Sequence, residues 1–218
     1  MSKLLEKIKS YQEAFKGKVP LQTREVMLQA TQTLKERNIS KNALKVGDKV
    51  NSFVLPNALS KEVSLNEILE EKDFVVLNFY RGGWCPYCNL ELKELQSILG
   101  DLDTLNSSLI AISPQTPDAS LSTQEKNELT FEVLSDDKNL IAKEFGLVFS
   151  LAEELKPIYE SFNINLPTSN DDESYEIPMP ATYVLNNKGI VIFAFVDEDY
   201  TKRCEPQNIL DIIRENRA

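Results

Sequence analysis

The sequence predicts an α/β fold: a mixed central sheet flanked by helices, with a helical N-terminal extension ahead of it. Three observations carry this. Apolar residues recur at helical spacing through the first 42 positions. From about residue 46 short apolar strands alternate with amphipathic helices. The chain then ends on a hairpin and one more helix, which adds antiparallel strands to an otherwise crossover-built sheet.

The elements follow in order. Residues 2–16 and 21–38 read as two amphipathic helices; in the second, Val26, Met27, Ala30, Leu34 and Arg37 share a face, and Pro20 stands near its start. Their heptads do not persist, so a detached coiled coil is disfavoured and packing on the main domain is expected. Residues 41–50 are a polar connection. The division is therefore 1–42, a helical extension, and 43–218, the main domain. The stretch NSFVLPNALSKEVSL holds two short strands around Pro56-Asn57. DFVVLNFY, residues 73–80, is apolar almost throughout, as a central strand covered on both faces would be. CPYCNLELKELQSILGDL follows as a helix, with Leu90, Leu92, Leu95 and Leu99 at helical spacing. SSLIAIS is a strand, residues 116–129 a helix, FEVLS a strand, and 137–146 a helix closed by Gly146. Residues 151–163 read as a helix interrupted at Pro157, and 165–178 as a polar, acidic loop. ATYVLNN and GIVIFAFV form a hairpin, and residues 206–216 the closing helix.

Composition removes several classes of function. The formal net charge is -10, so nucleic acid and anionic membranes are disfavoured as partners. No apolar run approaches membrane-spanning length. The first 18 residues break their apolar positions with Lys and Glu, unlike a secretory signal, so the expected compartment is the cytoplasm. There is no histidine, which removes Ser-His-Asp and Cys-His catalysis and histidine metal sites. The three cysteines fall short of the roughly four thiolates of a structural zinc site. No metal and no cofactor is expected.

The chemistry concentrates in FYRGGWCPYC, residues 79–88. A buried strand ends, two glycines turn the backbone, and Cys85-Pro86-Tyr87-Cys88 opens a helix. Unpaired N–H groups and the positive end of the helix dipole lie there, and both favour the reactive thiolate. Pro86 suits the first helical position because its missing N–H costs nothing. The two-residue spacing lets Cys85 and Cys88 cycle between dithiol and disulfide. The competing reading, two buried cysteines acting as small hydrophobes, leaves that placement unexplained.

From Val46 to Leu210 the chain resembles the alkyl hydroperoxide reductase C/thiol-specific antioxidant family, the peroxiredoxin-like branch of the thioredoxin superfamily. VGDKVNSFVLPNALSKEVSL, VVLNFYRGGWCPYCNLEL, MPATYVLNNKGIVIFAF and DYTKRCEP carry the likeness. It implies a thioredoxin-like fold and a thiol peroxidase that reduces small hydroperoxides, with a thioredoxin-like or glutathione-type reductant; a homodimer is left open. The departures matter. In the family pattern P-x-x-x-(T/S)-x-x-C, the peroxidatic cysteine falls on Cys88, the Thr or Ser on Cys85 and the Pro on Arg81. The family's later Arg falls on Pro180, where thioredoxin-type proteins have a cis-proline. The alternative activity is therefore a thioredoxin-like protein-disulfide or glutathione-disulfide oxidoreductase.

Peroxiredoxin alignment nominates Cys88 as nucleophile, thioredoxin geometry Cys85; the second is preferred here, with Cys88 as resolving partner. Supporting roles are expected of four residues. Arg81 would lower a thiolate pKa or orient a peroxide oxygen, unless it pairs with a surface carboxylate. Trp84 resembles the tryptophan before the thioredoxin motif. Pro180 and Thr182 belong to MPAT, with Met179–Pro180 expected to be cis and to face the cysteines. Cys204 is either a distal resolving thiol or an incidental small residue; Tyr200 and Arg203 lie in the resembling motif with no assigned chemistry.

Overall fold

A computed structural model describes residues 3–217. Two helices, α1 (Lys3–Lys18) and α2 (Leu21–Arg37), and a 3-10 turn (Ile39–Asn42) come first. Then follow β1 (Val54–Pro56), β2 (Glu62–Ser64), α3 (Leu65–Glu71), β3 (Phe74–Phe79), α4 (Pro86–Ser97), α5 (Leu99–Thr104) and β4 (Ser107–Ser113). The chain continues through α6 (Pro117–Asn127), β5 (Glu132–Ser135), α7 (Leu140–Glu144), β6 (Val148–Ser150), α8 (Lys156–Ser161) and α9 (Leu166–Asn170). It closes with β7 (Glu176–Pro178), β8 (Ala181–Asn186), β9 (Val191–Val196) and α10 (Pro206–Glu215).

Five strands form the central sheet in the order β5-β4-β3-β8-β9. β3 and β5 run parallel to β4, while β8 is antiparallel to both β3 and β9. The sheet is thus mixed, as the alternation followed by a hairpin requires. Every residue of β3 is buried. Phe74 and Val76 enter the core that holds α4 and α10, while Val75, Leu77 and Phe79 enter the core on the other face. Period-2 alternation between two apolar layers explains why the strand reads as a continuous apolar run. Its one polar residue, Asn78, lies opposite Thr182, to whose hydroxyl it donates at 3.2 Å.

The N-terminal helices pack on this frame. Leu4 and Ile8 of α1 are 0% and 4% exposed and join the core that contains Cys85, Cys88, Leu92 and Leu95. Around them, Lys7 pairs with Glu94, and the Leu5 N–H donates to Glu205 at 2.9 Å. α2 is tied by Lys35 to Asp199 at 3.0 Å, and the Ser40 N–H donates to Glu198 at 2.9 Å. Buried Leu and Ile do most of the holding, since part-exposed ion pairs contribute little.

Three local expectations are corrected. The helix after the cysteines breaks at Ile98 (φ -103°, ψ 4°), which turns both Ile98 and Leu102 into the core. Residues 151–163 begin as a 3-10 turn (Glu153–Leu155), and Pro157 sits in the first turn of α8 rather than interrupting a helix. The loop 165–178 contains α9 and β7, and β7 pairs with β6 from Val148↔Pro178 to Ser150↔Glu176. Three-residue strands are too short for periodicity to register.

Candidate active site

The segment between β3 and α4 is held in one shape. Gly82 has φ +147°, a conformation side chains rarely adopt, and a Cβ there would strike the Trp84 ring. A Cβ on Gly83 would strike the Thr123 hydroxyl. The Gly83 N–H donates to Gln115 at 2.7 Å, and Asn89 donates to the Gly83 carbonyl at 2.8 Å. Asn127 donates to the Asn89 side-chain oxygen at 2.9 Å, linking α6 to α4. Cys85 is the N-cap of α4, its N–H bonded to the Gly82 carbonyl at 3.0 Å, and Pro86 opens the helix.

Both sulfurs lie beneath the surface, Cys85 at 2% and Cys88 at 0% exposure, and both are free thiols. They differ in access. Cys85 lines a cavity of about 350 Å³; Cys88 does not. The walls include Arg81, Trp84, Tyr87, Tyr159 and Tyr200, and from the N-terminal segment Tyr11, Phe15 and Lys18 of α1, Val19 of the link and Met27 of α2. Tyr11 meets Tyr87 edge-on at 5.2 Å, and Phe15 meets Phe162 at 6.2 Å. The roof of the site is therefore made by α1 and α2.

The electrostatics separate the two thiols. Burial pushes Cys85 up, but a hydrogen bond from Cys88 and the charges of Arg81 and Arg203 bring it down to about 6. Burial and the neighbouring Cys85 raise Cys88 well above the usual thiol value. The pair thus divides into one ready thiolate and one thiol.

Arg81 is 3% exposed, so the surface ion pair weighed from the sequence is absent. Its guanidinium stands over Tyr200 at 4.5 Å, Trp84 at 5.2 Å and Tyr159 at 5.8 Å, and donates to the Tyr159 hydroxyl. No carboxylate among the described residues pairs with it. Trp84 lines the same cavity as Arg81, its ring 5.5 Å from that of Tyr159.

Pro180 departs from expectation. No peptide bond among the described residues is cis, so Met179–Pro180 is trans. The chain runs extended from β7 into β8, with the Met179 N–H bonded to the Leu147 carbonyl at 2.9 Å, a course the trans form satisfies. Pro180 lines a separate cleft of about 20 Å³ with Arg81, Tyr159 and Tyr200 but neither cysteine. Thr182 is wholly buried in the sheet against Asn78. Cys204 is 2% exposed, and burial followed by Glu91 and Glu205 pushes its thiol up to about 12.

Two residues without an assignment from the sequence stand next to the sulfurs. Arg203 Nη2 approaches Cys88 Sγ at 3.3 Å. Its Nε lies 2.7 Å from Glu91 Oε2, with side chains 1% and 2% exposed. That N–H does not point along the contact, so attraction of charge rather than a hydrogen bond holds the pair. Burial raises Glu91 to about 7 against the pull of Arg203. The spacing of Glu91 three residues after Cys88 on one helix was the available signal.

The family profile described as "AhpC/TSA family" matches residues 46–205. The chain belongs to the AhpC/TSA family. Among curated relatives, the "Putative peroxiredoxin bcp" of Buchnera aphidicola is 32% identical over 104 residues, 48% of this chain and 65% of that protein. That of Haemophilus influenzae is 34% identical over 106 residues, 49% of this chain and 67% of the relative. The match thus spans about two thirds of the relatives' length. Among solved structures, Peroxidoxin BcpB from Mycobacterium tuberculosis superposes with TM-score 0.65 at 20% identity, over 80% of this chain and 99% of that one. A cysteine-to-serine mutant of PrxQ from Xylella fastidiosa gives 0.63 at 15% identity, over 80% and 98%. These likenesses establish the thioredoxin-like fold. The family match begins at residue 46, so α1 and α2 lie outside it.

Proposed function

We propose that this AhpC/TSA protein is a thiol-dependent peroxidase that reduces small hydroperoxides through a Cys85/Cys88 dithiol–disulfide cycle. The observation that carries the reading is the division of labour at the N-terminus of α4. The Cys85 thiol opens onto a cavity with its pKa held near 6, and a neutral partner thiol stands behind it in the same motif.

In the proposed cycle the Cys85 thiolate attacks one peroxide oxygen. The O–O bond breaks, the alcohol or water leaves after taking a proton, and Cys85 becomes a sulfenic acid. Arg81 supplies the fixed positive charge at the cavity wall, stabilising the thiolate and steering the polar peroxide head. Cys88 then attacks the sulfenic sulfur, releasing water and forming the disulfide. Arg203, held by Glu91, donates to Cys88 Sγ and favours the thiolate form needed for that step. Two electrons from a thiol reductant restore the dithiol. In this reading Trp84 and Tyr159 hold Arg81 in place, Pro180 lines the cleft beside it, Thr182 builds the sheet, and residues 1–42 form a helical extension on a domain of residues 43–218. No helix among the described residues is long and apolar enough to cross a membrane, and we assign the cycle to the cytoplasm.

Stopped-flow mixing of the reduced protein with hydrogen peroxide and cumene hydroperoxide tests the reading. Stoichiometric peroxide loss with formation of a Cys85–Cys88 disulfide is expected. Absence of peroxide consumption, together with efficient reduction of insulin disulfides, would replace the peroxidase with a disulfide oxidoreductase.

A further inference from the structure

We infer that the cavity roofed by α1 and α2 is also the reductant's site, and that it takes a low-molecular-weight thiol bearing a carboxylate in preference to a protein thiol. The inference rests on the proposed Cys85/Cys88 redox cycle and adds the class of partner that closes it.

Access is the first argument. Thiol–disulfide exchange requires the incoming sulfur to reach bonding distance of the sulfur it attacks, about 2 Å in the product. Here Cys85 is 2% exposed and Cys88 0%, and what covers them belongs to the same chain. Tyr11 and Phe15 of α1 meet Tyr87 and Phe162 edge-to-face at the cavity wall. α1 is anchored by Leu4 and Ile8 in the core. The space left above Cys85 is about 350 Å³. Small-molecule sites run from about 300 to 1,000 Å³, so this one holds a small thiol and leaves no room for a protein loop.

Charge is the second and independent argument. Arg81 is buried without a carboxylate partner among the described residues, and its Nε has no hydrogen-bond acceptor. In the dithiol form the Tyr159 hydroxyl and, after it, the Cys85 thiolate support its charge. Once Cys85 is in the disulfide that anion is gone, and the cavity keeps an unbalanced guanidinium. Lys18, exposed and without an ion pair among the described residues, adds a second cation to the wall. In a chain of net charge -10 the wall is locally positive, and oxidation of Cys85 removes the anion that offsets part of that charge just when a reductant is needed.

The exchange balances as two successive displacements. The first thiolate attacks Cys85 Sγ; the Cys85–Cys88 bond breaks, and Cys88 leaves as a thiolate beside Arg203 and takes a proton. A second thiolate attacks the small molecule's sulfur in the mixed disulfide. It releases a low-molecular-weight disulfide and regenerates the Cys85 thiolate. Two thiols supply both electrons.

The test uses the full chain oxidised with diamide, with no peroxide present. Reduction is followed by the fluorescence of Trp84, the only tryptophan, and checked by mass after alkylation. The reductants are 3-mercaptopropionate, cysteamine of similar size and opposite charge, and a reduced thioredoxin. At equal thiolate concentration, mercaptopropionate is expected to act about tenfold faster than cysteamine, the scale on which local charge changes encounter rates. Lys18→Glu should narrow that ratio. Thioredoxin should be slow on the native chain and faster on Phe15→Ala, which opens the roof. Fast reduction by thioredoxin with no gain from Phe15→Ala, or equal rates for the two small thiols, overturns the inference while leaving the peroxidase cycle intact. Failure of Cys85 and Cys88 to form a disulfide with diamide or peroxide overturns both.

Discussion

Arg203 Nη2 lies 3.3 Å from Cys88 Sγ, and the same guanidinium faces Glu91, three residues further along α4, at 2.7 Å. Both charged side chains are buried, so removing one strands the other in the core. Arg203→Ala is expected to destabilise the protein by about 3–5 kcal/mol, the range for a broken buried pair. Adding Glu91→Gln should recover part of that loss, because the stranded carboxylate is gone. Chemical denaturation of the two variants measures this. A single variant as stable as the parent would show that the pair carries no structural weight.

The Cys85 pKa sets a pH profile. With the thiol held at about 6, against an ordinary cysteine near 8.5, alkylation of the reduced protein should be fast and nearly level above pH 7. Below pH 6 it should fall about tenfold per unit as the thiolate is protonated. Arg81→Met, which removes a cation and keeps bulk, should move the midpoint upward. The sign for stability follows: a depressed folded-state pKa contributes stability that is present above the unfolded value and is lost as pH falls through the folded one. The dithiol protein should therefore lose stability on acidification from pH 9 toward 6 relative to Cys85→Ser. Iodoacetamide rates and thermal melts across that range check both.

Gly83 is a geometric requirement of the loop. A methyl group there meets the Thr123 hydroxyl, which already donates toward Gln115 and the Ala119 carbonyl. Gly83→Ala should push Trp84 and Cys85 away from the cavity floor and slow peroxide consumption. Gly83→Ala combined with Thr123→Ala removes the obstructing atoms and should restore much of the rate. Recovery in the double variant distinguishes crowding from loss of backbone freedom.

The central strand, the helix opened by Pro86 and the terminal hairpin were legible because each has a period or a punctuation residue. Residues 74–79 alternate between two apolar layers, and Asn187-Lys188-Gly189 marks the turn, with Gly189 at φ +72°. The β6–β7 pair was not legible, since three residues carry no period. The cysteines could be found from spacing alone. The cavity could not, because Tyr11, Phe15, Arg81, Tyr159 and Tyr200 are brought together only by packing across long separations. The trans Met179–Pro180 bond shows the limit of analogy: MPAT resembles a thioredoxin motif, yet β7 feeds straight into β8. Arg81 supplies the complementary lesson: the sequence left open whether it serves the thiolate or pairs with a surface carboxylate, and its burial among three rings removes the second reading.

Which sulfur meets the peroxide is decided by two variants. Family alignment points to Cys88, and Arg203 at 3.3 Å gives that sulfur a donor. Access and charge point to Cys85: it lines the cavity, while Cys88 is fully buried and its pKa is raised. A thiol that stays protonated and cannot be approached is a poor nucleophile whatever its neighbours, so access should win. Cys85→Ser is expected to abolish rapid peroxide consumption. Cys88→Ser should retain one turnover and accumulate a sulfenic acid on Cys85, because no partner thiol is left in the motif. Cys204 is not expected to substitute, since its own pKa is pushed up to about 12. Dimedone trapping followed by peptide mapping reads the site directly. Dimedone on Cys88 in the Cys85→Ser variant, with peroxide consumed at the parent rate, would transfer the nucleophile to Cys88 and leave Cys85 as the resolving thiol.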